Sequence, residues 1–208
     1  MTQTWLFKPK RLAPWQLIAI KTAIHLLSIG LVAQILWLAI NDTVDGDPVD
    51  AMLHFTGIGA INLLLLSLVV NPMAMKFKIT NLILLRRLLG LYAFFYALLH
   101  LLTYIAFELQ FEWLIIAQEI VKRPFIVVGM LAILLLFSLT LTSSKSIQKR
   151  MGKKWQTLHN WIYIAAPLTL LHYIWAVKSD IVQPMLYIFV MILLLWLRKD
   201  KLRRAKFF

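Results

Sequence analysis

Residues 86–108 read Arg-Arg-Leu-Leu-Gly-Leu-Tyr-Ala-Phe-Phe-Tyr-Ala-Leu-Leu-His-Leu-Leu-Thr-Tyr-Ile-Ala-Phe-Glu. Twenty residues separate Arg87 from Glu108, and none of them is Asp, Glu, Lys or Arg. A run of about that length is what an α-helix needs to cross the hydrocarbon core of a bilayer. A half-buried strand would alternate apolar and polar residues, and a soluble helix would keep a polar face. This stretch does neither. Working outward from it, five further apolar runs follow the same rule: 15–40, 52–71, 125–143, 156–177 and 182–198. Between them lie short connections with chain breakers, among them Asp45-Gly46-Asp47-Pro48, Asn71-Pro72, Arg123-Pro124, Ser143-Ser144 and Gln183-Pro184.

The expected fold is therefore an all-α integral membrane protein, a six-transmembrane-helix bundle. Residues 1–14 form a short segment ahead of it, 15–198 the bundle, and 199–208 a basic tail. The chain of 208 residues is 61% hydrophobic, where a soluble domain is nearer half. No stretch is left over for a second globular domain, and no internal repeat or low-complexity linker stands out. Lys8, Lys10 and Arg11 precede the first run without a small-residue cleavage site after it, so that run is expected to be a retained helix.

The net charge of +13 does not point to nucleic acid, because the charges are sorted by loop. One side of the bundle collects Lys8, Lys10, Arg11, Lys21, Lys76, Lys78, Arg86, Arg87, Lys145, Lys149, Arg150, Lys153, Lys154 and the tail residues Arg198 to Lys206. That is 19 of the 22 basic residues. The other side has only Lys122, Arg123 and Lys178, with eight of the nine acids. The positive-inside rule places both termini in the cytoplasm, and the basic face is read as topology plus contact with anionic membrane lipid. Trp5, Trp15, Trp37, Trp113, Trp155 and Trp175 fall near span ends, as interfacial anchors do. Cysteine is absent, which removes disulfides and thiolate metal sites.

Ionisable groups at membrane depth are costly and mark function. His100 stands 13 residues after Arg87 and 8 before Glu108; His172 stands 6 before Lys178. Both spans run outward, so the two histidines share a depth in the outer half of different helices. Two imidazoles facing each other at one depth can fill both axial positions of a haem iron. Gly90, Tyr96, Ala97 and Ala166 are candidates to admit and cover a flat macrocycle. His159, 5 residues past Lys154, lies near the cytoplasmic surface, about 20 Å along the helix from His172. It marks a second layer, for a second haem or another inner cofactor. Arg86 and Arg87 occupy the matching level of the third span. Arginine stays protonated and is a poor ligand, but suits a haem propionate. On one ideal helix His159 and His172 would point about 140° apart, a mismatch that a kink at Pro167 can correct. His25 is read as an interhelical hydrogen bonder, with Lys21 snorkelling to the inner surface. His54 is either an interfacial residue or part of a quinone or haem pocket.

Several segments in order resemble one known family. They are Arg86-Arg87-Leu88-Leu89-Gly90-Leu91 with Tyr96 and His100 to Tyr104; Lys122-Arg123-Pro124-Phe125; Thr142-Ser143; and Gly152, Trp155, Leu158-His159, His172-Tyr173 and Trp175. Over roughly residues 52–178 the chain is similar to the MsrQ family, itself related to the membrane domain of ferric reductases and NADPH oxidases. Asn71-Pro72 stands where that pattern has Thr-Pro, and Asn160 where it has a basic residue. The resemblance implies one or two b-type haems at His100, His159 and His172, with FMN on the cytoplasmic side. It implies a location in the bacterial inner membrane. It also implies a periplasmic molybdopterin-containing subunit that reduces methionine sulfoxide in oxidised proteins.

The tail after the last span is about ten residues, and no Gly-rich phosphate loop follows a strand. Electrons are thus expected from another molecule: a cytoplasmic flavin reductase delivering reduced flavin, or membrane quinol. No side chain looks like an acid, base or nucleophile for sulfoxide reduction, so that chemistry is assigned to the partner. The alternatives are a haem-containing ferric or quinone reductase membrane domain and, from another class, a histidine-dependent proton-coupled transporter. The latter wants carboxylates at membrane depth, which these spans lack. The charge asymmetry carries its own test. A reporter fused after Phe208 should be active only if it works in the cytoplasm, and one in the Asp42–Asp50 loop should behave as periplasmic. The opposite pattern would invert the orientation and the layering of the histidines.

Overall fold

The computed structural model describes residues 10–177, 182–203 and 207. Trp5, Lys8, Lys178, Asp180, Arg204 and Lys206, used above, lie outside them. Apart from one isolated bridge between Lys10 and Ile79, the regular structure among the described residues is helical. The elements are α1 (Pro14–Ile40), α2 (Pro48–Lys76), a 3₁₀ turn (Thr80–Leu84), α3 (Leu85–Thr103) and a π-helical turn (Tyr104–Glu108). They continue with α4 (Trp113–Lys122), α5 (Pro124–Leu141), α6 (Lys145–Met151), α7 (Lys153–Asn160), α8 (Ile162–Ala176), α9 (Val182–Trp196) and α10 (Lys199–Arg203).

Local chemistry sets the starts. Proline occupies the first turn of α1, α2 and α5, where its missing N–H costs nothing. The Asp47 carboxylate accepts from Val49 N–H at 2.9 Å and caps α2. Four helical stretches are long and apolar enough to cross a membrane: 14–40, 48–76, 80–108 and 124–141; α9 is a shorter apolar helix. The expected span 156–177 is two helices, α7 and α8, broken at Trp161. The connection before Arg123 contains a helix, α4, rather than plain loop. It is amphipathic: Ile116 and Ile120 turn inward, while Trp113, Leu114 and Val121 are exposed.

The Asn71-Pro72 pair does not end a helix: α2 runs through it to Lys76. Proline at 72 leaves the carbonyl of Leu68, one turn back, without its usual backbone donor. The guanidinium of Arg198 donates to that carbonyl instead, through Nη2. A side chain from beyond α9 thus satisfies the bond that the ring deletes.

The bundle is built on two tightly packed pairs, α2 with α3 and α5 with α8. In its most apolar window α2 is 44% buried and α1 only 11%, so α2 is central and α1 peripheral. The core joins Leu64, Leu68, Ala93, Leu136, Ala165, Ala166 and Leu170. Ala93, Ala165 and Ala166 have no exposed surface; small residues let helices approach closely where lipid offers no hydrophobic drive. Outward faces carry exposed Ile18, Leu26, Leu134 and Phe189, an apolar girdle that lipid solvates. The tight contacts are therefore the vulnerable ones. Ala165→Leu should lower stability in detergent by about 1–3 kcal/mol through overpacking, whereas Leu26→Ala should stay within about 0.5 kcal/mol. Thermal unfolding midpoints of the two variants check this.

Candidate functional site: a facing pair of imidazoles

The rings of His100 on α3 and His172 on α8 lie with centroids 6.1 Å apart and planes at 84°. Each is gripped from behind. His100 Nδ1 is 3.0 Å from the Leu53 carbonyl of α2, and His172 Nδ1 is 2.7 Å from the Phe125 carbonyl of α5. A carbonyl only accepts, so Nδ1–H is the donor in both rings. A neutral ring then keeps its lone pair on Nε2. The hydrogen bond thereby selects the tautomer and aims the ring, as carbonyl partners of metal-binding histidines do.

Glycines make room for these rings. A Cβ on Gly57 of α2 would stand 3.2 Å from His100 ring atoms, and one on Gly129 of α5 would stand 2.7 Å from His172 Nδ1. Each glycine lies one turn after the carbonyl that holds the ring. The two halves share one arithmetic: Leu53, Gly57 and His100 each recur 72 residues later as Phe125, Gly129 and His172. Around them, Ala60-Ile61 recurs as Ala132-Ile133 and Leu63-Leu64 as Leu135-Leu136. Ala93 recurs as Ala165, and Leu98-Leu99-His100 as Leu170-Leu171-His172. Contrary to the expectation from sequence, the bundle holds an internal repeat. Its signal was that tripeptide at a fixed offset.

The histidine pair faces a cavity of about 600 Å³, within the range of cofactor pockets. The lining is mostly apolar, with Ala97, Tyr104, Thr169 and the exposed side chains of Asp50 and His54. Of the four residues expected to cover a flat ligand, only Ala97 lines it. Tyr96 turns the other way and donates to the Ser28 carbonyl of α1 at 2.7 Å. Ala166 is packed in the core, and Gly90 lies elsewhere on α3. Arg87 is exposed and is not among the lining residues. No group of three or more His, Cys, Asp or Glu is placed to share a metal ion among the described residues. The chemistry on offer is ligation by two neutral imidazoles from different helices.

His159 sits apart, on α7. One turn residue, Trp161, separates α7 from α8, so His159 and His172 stand on successive helices. The His159 ring stacks on Trp155, with centroids 4.0 Å apart. Its Nε2 is 3.1 Å from the Thr142 hydroxyl, and Trp155 Nε1 donates to the Thr142 carbonyl at 2.9 Å. Trp155 is therefore a site neighbour and not merely an anchor, while Trp15, Trp37, Trp113 and Trp175 are exposed, as anchors are. Arg86 is within electrostatic reach of His159, and no second imidazole faces it among the described residues. His25 meets its expected role: its Nδ1 is 2.6 Å from the Tyr92 hydroxyl of α3.

The chain has relatives among known proteins. Residues 56–170 match the family described as ferric reductase like transmembrane component. The protein-methionine-sulfoxide reductase heme-binding subunit MsrQ of Salmonella arizonae is 39% identical over 195 residues, covering 93% of this chain and 98% of the relative. Proteins of the same name from Salmonella paratyphi B and Salmonella gallinarum match to the same identity and coverage. The chain belongs to the MsrQ family, among the ferric-reductase-like transmembrane proteins.

Proposed function

We propose that the chain is a haem-carrying electron-transfer subunit of a bacterial inner membrane, with His100 and His172 as the axial ligands of one b-type haem. The observation that carries this reading is the facing imidazole pair. Two metal–imidazole bonds of about 2 Å each, with the ring radii added, come to about 6 Å between centroids, and the pair stands at 6.1 Å. The cavity beside it is mostly apolar and lined by residues from both halves of the repeat. The haem would supply one-electron chemistry. What the chain does is hold the rings, exclude water and tune the ligands: each Nδ1–H···O=C bond makes its imidazole a stronger donor.

In this reading the chain crosses the membrane six times, α7–α8 and α9 being the fifth and sixth spans, with both termini in the cytoplasm. His159 and Arg86 then mark an inner cofactor site near the point of electron entry, for a second haem, FMN or a quinone. Electrons come from a cytoplasmic flavin reductase or from quinol. They leave to a periplasmic molybdopterin-containing subunit that reduces methionine sulfoxide and so repairs oxidised proteins. His54 lines the cavity and is exposed, and serves either as a pocket residue for the ligand or as an interfacial residue. The names of the relatives and the placement of basic residues support this assignment.

His100→Ala and His172→Ala should each abolish a low-spin b-type absorption signal, since either leaves the iron one ligand short. His25→Ala should keep it. If both site variants retain the full wild-type spectrum, the ligand pair is wrong. Gly129→Ala tests the cradle: the added methyl needs space that His172 occupies, so haem content should fall or the signal shift, and more so than in Gly57→Ala.

His159→Ala should slow reduction by the cytoplasmic donor while the outer haem signal stays. A parallel loss of haem content would make the inner cofactor haem; unchanged content with slow reduction would make it flavin or quinone. Unchanged content and kinetics would leave His159 a packing residue beneath Trp155.

A further inference from the structure

α4 fills the connection between two apolar stretches, one ending at Glu108 and the next beginning at Pro124. Its ten residues, Trp113–Lys122, make a helix about 15 Å long, about half of what a bilayer crossing needs. Tethered to a span at each end, it lies at the boundary between hydrocarbon and water. Its residues are sorted by face. At about 100° per residue, Ile116, Ile120, Trp113, Ala117, Val121 and Leu114 follow one another around a single arc. Gln118, Lys122, Glu119 and the N-cap Glu112 fall on the opposite arc, where Ile115 is the one apolar residue.

The protein covers only one edge of the apolar arc. Ile116 and Ile120 turn to a recess of about 200 Å³. That recess shares Leu101, Tyr104, Ile126, Met130 and Ile133 with the His100–His172 cavity, so α4 roofs the flank of the cavity. The rest of the arc is bare: Trp113 and Leu114 are each 73% exposed and Val121 83%. The polar arc carries the ion pair of Glu119 with Arg123, at 2.5 Å. A stripe of so few side chains is far below the roughly 20 residues a side of a stable protein interface. It is instead continuous along the chain with the lipid-facing girdle: Phe107 and Phe111 are exposed just before α4, and Val127 and Leu131 just after it. A helix with Trp and Leu on one face and Lys on the other lies in the plane of the interface, its apolar face among the acyl chains. We infer that α4 is an interfacial helix whose Trp113, Leu114, Ala117 and Val121 seat on the bilayer, so that membrane lipid covers this face and holds the roof of the recess in place. The inference rests on the membrane-spanning fold and not on a haem between the histidines.

The chain has no cysteine, so one introduced cysteine carries a nitroxide label at a single place. Leu114→Cys, Val121→Cys and, on the exposed polar arc, Gln118→Cys are labelled in the full chain and reconstituted into vesicles of phosphatidylcholine and phosphatidylglycerol. All three positions are exposed, so the label leaves helix packing intact. Power-saturation electron paramagnetic resonance then compares access of oxygen, which concentrates in lipid, with access of a water-soluble nickel chelate. The oxygen-to-nickel ratio at 114 and at 121 should exceed that at 118 by about threefold or more. A smaller difference puts the stripe in water and overturns the seat. Exclusion of both reagents from 114 and 121 shows a protein surface, such as a second copy of the chain, over the stripe and overturns it equally. The absorption spectrum of the same samples reports the histidine pair separately, so the two readings fail independently.

Discussion

At the centre of this bundle each of two imidazoles gives its Nδ1 proton to a carbonyl one helix away, and that bond decides what the rings can do. Inside an apolar bundle a histidine with no partner for its N–H would be costly. A histidine whose two nitrogens were both engaged would have no lone pair to offer. The arrangement here engages Nδ1 of each ring, and the two ring centroids stand 6.1 Å apart. The glycines at 57 and 129 follow from this: a ring reaching a helix carbonyl must lie flat on that helix, where a Cβ would intrude. The pairing of α2 with α3 and of α5 with α8 follows as well, because each holding carbonyl and its ring belong to partners in one pair.

The other layer obeys a different economy. His159 has Nε2 beside the Thr142 hydroxyl and its face against Trp155, so it is restrained on two sides and lacks an opposing imidazole among the described residues. Where the His100–His172 layer is organised by neutral rings held on carbonyls, the His159 layer lies within electrostatic reach of a guanidinium, that of Arg86. Arg198 completes the backbone of α2 at Pro72 and brings a buried charge to that end of the helix.

Much of this was legible in the sequence. Charges at the ends of apolar runs located the helices, because burying a charge in lipid is costly enough to leave a plain record. The shared depth of His100 and His172 followed from counting residues to those charges. What escaped were features set by tertiary contact. Pro72 reads as a helix end until a distant arginine replaces its missing donor. The break at Trp161 has no strong local signal. The carbonyls of Leu53 and Phe125 carry no side-chain mark at all, and the repeat hid because only positions at the ring and the helix crossings are shared between the halves.

The claim that matters most is that the two facing rings bind one iron through Nε2. Near-infrared magnetic circular dichroism of the purified oxidised protein reads the axial ligand pair of a haem directly. The account predicts a low-spin ferric haem with a bis-imidazole charge-transfer band. A five-coordinate high-spin haem, a band from any other ligand pair, or a protein that takes up no haem would contradict it.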